Sequence, residues 1–337
     1  MSESFPDLVQ IFDSLSAPSA NVGLGRFCAY PIPGYPACAI GKDTSGNPVL
    51  LVQADNVLPG TAAPLVLEHL CVIHLVNCRV HTGQLGEQQQ TLSVIRCTGT
   101  DRALHEYFLR SLHPIIASLP QHPSRDQVSQ AVERLIDLFR RMADVPRKTV
   151  TGLWAELFII ARSSDPATLL EAWHSIPEEK FDFAIGIDRL DVKAASGGLR
   201  IHHFALEQLR PVAQIRVLIA SLLAERTQGG TSLNDLVDSI RTRVTDATLL
   251  IRLDSVVAQT LGQDWRAMQD TRFDLQQAIQ SLRFVDAAVI PSVAAPSPPE
   301  VSAVHFRVDL TQHPMPSPDT LIQGSGVFRV AIPRADP

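Results

Sequence analysis

The chain has 337 residues, 45% hydrophobic and 19% charged, the composition of a globular protein with material for one large or two ordinary domains. Its formal net charge of −6 argues against a nucleic-acid binder that works through bulk charge alone, because phosphate neutralisation drives much of that affinity. No apolar run approaches the roughly 18 residues of a membrane span. The opening MSESFPDLVQ has neither a positive n-region nor an apolar h-region, so no secretory signal is expected. Cysteines 28, 38, 71, 78 and 97, odd in number and without a CxxC pair, point to reduced thiols and a cytoplasmic protein.

Residues 1–98 read as a mixed, β-rich region. A short helix is predicted over 5–16, followed by strands at NPVLLVQA, LVLEHLCVIHLVNCRVH and QTLSVIRC, with Pro and Gly punctuation between them. The period then becomes helical. Leu104, Phe108, Leu112, Ile115 and Leu119 line one face, with a kink expected at Pro114. Val128, Ala131, Val132, Leu135, Leu138, Phe139 and Met142 make a cleaner stripe, capped by Ser124. Beyond Pro146 the predicted order is helix, strand, strand, strand, helix. VAQIRVLIASLLAER reads as a buried strand or a strand running into a helix. Helices are predicted at 232–244 and 246–261, SVAAPSPPE as a loop and VHFRVDL as a final strand. A boundary near residue 120 divides the chain into domains 1–120 and 121–337.

Chemistry concentrates between Gly152 and Leu209. In the helix GLWAELFIIA, Glu156 lies in an apolar arc between Ile159 on one side and Leu153 and Ile160 on the other. A carboxylate there is costly to bury unpartnered, so it sits at the rim of a sheet or faces a cation. Gly152, one turn earlier, is expected to let helix and sheet approach closely. In the strands FDFAIGI and LDVKAA, alternation puts Asp182, Asp191 and Lys193 on one face and Phe181, Phe183, Leu190 and Val192 on the other. Ala184 and Gly186 then leave room beside the charged groups.

Register decides whether the aspartates meet. A two-residue turn at 188–189 pairs Asp182 with Ala195 and sets the aspartates roughly 13 Å apart. A four-residue loop at 186–189 pairs Asp182 with Lys193 and brings Asp191 to roughly 7–8 Å, within joint reach of one cation. Three carboxylates and a lysine are what a divalent ion and an attacking water need for phosphodiester hydrolysis. Each piece also has a bland reading: DVK as an edge-strand charge pattern, Asp182 as a turn or cap residue.

The order helix Glu156, strand Asp182, strand Asp191-x-Lys193 resembles the active-site signature of the PD-(D/E)XK phosphodiesterase superfamily. The GLWAEL helix, the FDF and DVK strands and the segment RIHHFALEQL are further similar to a bacterial family of PD-(D/E)XK proteins, in which Glu is the commoner choice at the position of Asp191. The likeness runs through most of the chain, and its specific motifs are confined to 152–209. It implies an α/β fold, a restriction-endonuclease-like core of mixed sheet flanked by helices, behind an N-terminal β-rich α+β domain. It implies Mg2+ or Mn2+ held by Glu156, Asp182 and Asp191, with Lys193 orienting or deprotonating the water and stabilising charge on the phosphate. Arg200 and His202 share a strand face, where Arg200 would hold a phosphate and His202 would hydrogen-bond the site or be a satisfied core histidine. Gln208 would contact the DNA backbone or cap its helix.

The implied function is cleavage of DNA in a bacterial restriction or anti-phage defence system, beside an ATPase and a methyltransferase, with a homodimer expected for a double-strand cut and no membrane partner. The competing class is a non-catalytic subunit that binds DNA or a partner protein with the same face. Residues 180–226 hold seven Lys/Arg against five Asp/Glu, and Arg140, Arg141, Arg147 and Lys148 cluster before the Glu156 helix. Such clusters are nucleic-acid contacts or solvated helix ends. Cys71, His74, Cys78 and His81 have a zinc-like spacing. Strand alternation, however, places Cys71 and His81 on one face and His74 and Cys78 on the other, so the four are not expected to converge.

Overall fold

The computed structural model describes residues 5–18, 25–54, 64–82, 86–146, 148–173, 180–210, 214–293, 303–314 and 326–332. The chain divides into two compact units, Met1–Asp144 and Val145–Pro337. The division falls after two helices that the boundary near residue 120 would have separated. These helices, α2 (Arg102–Ala117, which runs through Pro114) and α3 (Arg125–Arg141), pack on each other, and α2 lies on the strands of the first unit. Ser124 caps α3 as expected, and Gln127 returns a bond to its backbone N–H in a capping box.

The first unit opens with α1 (Leu8–Ser14) and builds a six-stranded sheet from β1 (Arg26–Ile32), β2 (Tyr35–Lys42), β3 (Pro48–Val52), β4 (Leu65–Val66), β5 (Leu70–Thr82) and β6 (Gly86–Cys97). The order is β1-β2-β3-β6-β5-β4, and β1 also pairs in parallel with β5, so the sheet curls back on itself. In β5 a bulge between Ile73 and Val76 breaks simple alternation, with Leu75 at φ 57°. Counted from the pairing with β6, Cys71 and Cys78 share one face and His74 and His81 take the other, where His74 meets the Ser93 hydroxyl at 3.1 Å. The partners differ from those that unbroken alternation gives, but the four groups remain split across the sheet. All five cysteines are free.

The second unit opens with α4 (Val150–Arg162) and α5 (Pro166–Ala172). A four-stranded mixed sheet follows, β7 (Phe183–Ile185), β8 (Asp188–Ala195), β10 (Arg216–Leu223) and β13 (Arg283–Asp286), in the order β13-β10-β8-β7. Strands β8 and β10 run parallel and the other pairs antiparallel. The parallel pair needs a crossover, which contains β9 (Ile201–Ala205) and α6 (Leu206–Leu209). Six consecutive residues of β10, from Val217 to Leu222, are buried, as expected for a central strand covered on both faces. So the described part of VAQIRVLIASLLAER is a strand that does not run on into a helix, because β11 (Arg226–Ser232) follows directly.

Helices α7 (Leu233–Arg241) and α8 (Ala247–Leu261) match the two predicted after it. Then come α9 (Ala267–Asp270), β12 (Arg272–Phe273), α10 (Leu275–Ser281), β14 (His305–Asp309) and α11 (Val327–Ala331). The loop predicted at SVAAPSPPE lies outside the described residues beyond Val293.

One face of this sheet presents Leu190, Leu218, Ala220 and Leu222 to α4, α5, α7 and α8 in a continuous core with Trp154, Phe158 and Trp173. The other face presents Val217 and Ile219, which pack with Phe204, Leu209, Val285 and Val308. Among the described residues β9 pairs with β14 alone, in a separate ribbon over that second face, and not with β8. Among the described residues no helix is long and apolar enough to cross a membrane.

Candidate active site

Helix α4 is apolar nearly all round: every residue from Leu153 to Ile160 is buried, Glu156 included. Thr149 caps it by accepting a bond from Gly152 N at 3.1 Å. A Cβ on Gly152 would meet only that Thr149 hydroxyl, at 3.2 Å, so the glycine serves its own helix cap and not an approach to the sheet. The Glu156 side chain is 5% exposed, and of the two outcomes open to so buried a carboxylate it takes the cation. Its Oε1 meets Lys148 Nζ at 2.7 Å, and its Oε2 accepts the indole N–H of Trp173 at 2.7 Å.

The same Lys148 Nζ donates to Asp182 Oδ1 at 2.7 Å. Asp182 does not lie in a strand, because β7 begins at Phe183. Its Oδ2 accepts the backbone N–H of Val192 at 2.8 Å, which ties it to β8. The hairpin register is neither of the two expected. Ile185 pairs with Asp188 and Phe183 with Leu190, around a two-residue turn at Gly186 and Ile187. Gly186 has φ +55° and Ile187 does not, the pattern of a turn with glycine first.

Asp188 is thereby drawn into the strand, where it is buried against Arg216 at 2.6 Å. Asp182 lies just outside this pairing, and its bond to the Val192 N–H sets it beside the residue that follows Asp191. Phe181 departs from its expected face: it packs with Val217 and Ile219, while Phe183 lies in the opposite core with Leu190. The chain bends at 180–182, so strand alternation does not extend back to Phe181.

Asp191 and Lys193 share their face as expected, with Lys193 Nζ 2.9 Å from Asp191 Oδ2. That oxygen is sealed from solvent, and the contact lies outside hydrogen-bond geometry. Lys193 also stands 5.3 Å over the ring of Phe204. Gln208 does more than either of its expected roles. Its Oε1 caps α6 at Ala205 N (3.0 Å), and its Nε2 donates to Lys180 O (2.8 Å) and to Asp191 Oδ1 (3.1 Å), fixing the carboxylate.

Arg200 and His202 converge on Ser221, the β10 partner of Lys193, and not on the carboxylates. Arg200 donates to the Ser221 carbonyl (3.0 Å), to its hydroxyl (2.8 Å) and to the Ser281 carbonyl. His202 meets the same hydroxyl at 2.8 Å. The arginine's donors are therefore spent within the fold, and the histidine is a satisfied buried group.

Burial pushes the Glu156 carboxyl up to about 8, with the Asp182 charge adding and Lys148 and Trp173 opposing. The two donors let so enclosed a group ionise near neutral pH. Burial likewise raises Asp191 to about 6, against the pull of Lys193, with Asp182 again adding. Burial works against the Lys148 charge, but the Asp182 and Glu156 carboxylates outweigh it and hold the ammonium above its ordinary value. Burial and the nearby Lys193 and Arg200 charges lower His202 to about 4, so it is neutral at physiological pH.

Two contributors escaped the sequence reading. Lys148 stood out only as one of a basic cluster. In that cluster Arg140 pairs with Asp137 at 3.3 Å, and Arg147 lies outside the described residues. Trp173 carried no local signal. Its place is set by a bridge to Phe183 and by Arg252, which donates to its carbonyl.

The oxygen-only donors suit a hard divalent ion, and the buried, unbonded Asp191 Oδ2 beside Asp182 is a place for one. Among the described residues no three His, Cys, Asp or Glu side chains gather as a metal cage. The Lys148 ammonium stands between two of the three carboxylates. Both oxygens of Glu156 and both of Asp182 accept hydrogen bonds, so the fit centres on Asp191 Oδ2, with Asp182 as its neighbour.

The second unit is thus a mixed α/β fold that carries Asp191 and Lys193 on β8, with Asp182 and a buried helix glutamate nearby. The family model described as "Putative PD-(D/E)XK family member, (DUF4420)" matches residues 9–311, and the chain belongs to that family. No curated protein and no solved structure matches the chain.

Proposed function

We propose that the chain is a metal-dependent nuclease that hydrolyses DNA phosphodiester bonds on a restriction-endonuclease-like core. The observation that carries this reading is the pair of buried Asp191 and Lys193, 2.9 Å apart, with one Asp191 oxygen lacking a hydrogen bond and Asp182 bonded to the N–H of the intervening Val192. Asp182 and Asp191 would hold Mg2+ or Mn2+. Such an ion supplies a water of lowered pKa and offsets charge on the scissile phosphate.

The residues of the chain do the rest. Gln208 and the Val192 N–H orient the two carboxylates. Lys193, steadied by Asp191 and Phe204, orients the attacking water and donates to the phosphate. Glu156 and Trp173 position Lys148, which holds Asp182 from its other side. A bacterial restriction or anti-phage defence setting, partner ATPase and methyltransferase subunits, a cytoplasmic location and a homodimer for double-strand cleavage belong to the same proposal.

A second reading, a non-catalytic subunit that binds DNA or a partner, draws on one observation: Lys148 satisfies Glu156 and Asp182 without any metal. Cleavage of supercoiled and linear DNA with Mg2+ or Mn2+ separates the two. Nicking or linearisation that is lost in folded Lys193→Ala and Asp182→Ala establishes the nuclease. No cleavage by the wild-type chain, alone and with its neighbouring gene products, overturns that reading in favour of the second.

A further inference from the structure

We propose that Lys148 is a built-in cation of the site, so that the protein takes one divalent ion, on the Asp182–Asp191 side, and not two. The inference rests on the metal-dependent reading above. Lys148 Nζ lies 2.7 Å from both Glu156 Oε1 and Asp182 Oδ1, bridging the carboxylates as a second metal would. The remaining Glu156 oxygen is taken by the Trp173 indole, so that carboxylate is fully engaged without an ion. On the far side of Asp182, Asp191 Oδ2 is sealed from solvent and lacks a hydrogen bond, with the Lys193 ammonium 2.9 Å away.

Charge leads to the same arrangement. Above about pH 8, where Glu156 is ionised, three carboxylates against the Lys148 and Lys193 ammonium groups leave one net negative charge, which a single divalent ion reverses to one net positive charge before a phosphate approaches. A second divalent ion would crowd the Lys148 ammonium and leave an enclosed site with three uncompensated positive charges.

Lys148 is thus a positioning residue, and its removal should open a second site. The test titrates Mn2+ into the full-length chain without DNA and counts bound ions by the electron paramagnetic resonance signal of free Mn2+. The comparison is of wild type with Lys148→Met, Lys148→Gln and Asp191→Asn. We expect one ion in the wild type, two in Lys148→Met and at least tenfold weaker binding in Asp191→Asn. Lys148→Gln keeps a hydrogen-bonding head without the charge and serves if the methionine variant does not fold; it too should take two ions.

Two ions in the wild type, or one ion bound with unchanged affinity in the folded Lys148 variants, would overturn the role of Lys148 while leaving a metal site in place. A wild type that binds none while a Lys148 variant binds one would make the lysine a barrier and overturn the single-ion site. Absence of binding in every variant would overturn this inference together with the metal-dependent reading.

Discussion

The contact between Trp173 and Glu156 permits a quantitative check on the electrostatics of the site. Both side chains are buried, and the indole N–H donates to Glu156 Oε2 at 2.7 Å. Trp173→Phe removes that donor, and Glu156→Gln removes the charge while keeping an acceptor oxygen, so the double-mutant cycle isolates the part of the bond that depends on the charge. With the Glu156 carboxyl raised to about 8, the bond is to a carboxylate at pH 9 and to a neutral carboxyl group at pH 6. A hydrogen bond to a charged group contributes about 1.5–3 kcal/mol and a neutral one about 0.5–1.5 kcal/mol. The coupling should therefore be about 1–1.5 kcal/mol at pH 9 and close to zero at pH 6.

Denaturant unfolding followed by tryptophan fluorescence suits the measurement. The three tryptophans, 154, 173 and 265, all lie in the second unit, so the signal reports that unit, and Trp154 and Trp265 remain in the variant. Additivity within about 0.5 kcal/mol at pH 9, or a coupling that does not change with pH, would refute the argument that the indole helps a buried carboxylate to ionise.

Stability should also follow the site's charge. Glu156 and Asp191 both ionise above their usual range, so protonation favours the folded, metal-free chain. Their contribution is complete below the unfolded values near 4 and is lost as pH rises through about 6 for Asp191 and about 8 for Glu156. Because a bound cation stabilises only the folded state, Mg2+ should raise Tm more at pH 8.5 than at pH 5.5, and Asp191→Asn should flatten the difference; an equal or larger shift at pH 5.5 in thermal scans would contradict this. Arg200→Lys, which breaks the fork to Ser221 and Ser281, should cost about 1.5–3 kcal/mol of second-unit stability. It should leave the salt dependence of DNA binding unchanged; a shallower salt slope with unaltered stability would instead make Arg200 a phosphate contact.

The legible parts of the fold were those in which local pattern and final environment agree. The α3 stripe and its Ser124 cap, the two helices after β11 and the strand at VHFRVDL follow from periodicity and capping. Strands β1 and β2 did not, because Pro31, Pro33, Gly34 and Pro36 read as loop punctuation; pairing with β3 and β5 overrides that local signal. In the site, the common face of Asp191 and Lys193 was legible because it depends only on strand period. The hairpin register was not. The Asp188 and Arg189 positions look like a turn, but Arg216, 28 residues downstream, pairs with Asp188 and brings it into the strand. Lys148 and Trp173 were out of reach for the same reason, since their distances to Glu156 are set by the packing of α4 and α5 and not by sequence spacing.

These dependencies have a direction. The all-round apolar surface of α4 forces Glu156 into the core, where a carboxylate without partners would be costly. Lys148 and Trp173 answer that cost, and the same Lys148 fixes Asp182, which lies outside the strand ladder and accepts the Val192 N–H at its other oxygen. Asp182 in turn is bonded to the strand next to Asp191, whose Oδ1 Gln208 orients from α6. The helix glutamate thus acts at one remove: it seats the lysine that seats the aspartate. Glu156→Gln should therefore loosen Asp182 and weaken Mn2+ binding without removing a direct ligand, whereas Asp191→Asn removes one, so the glutamine variant should retain the larger residual affinity.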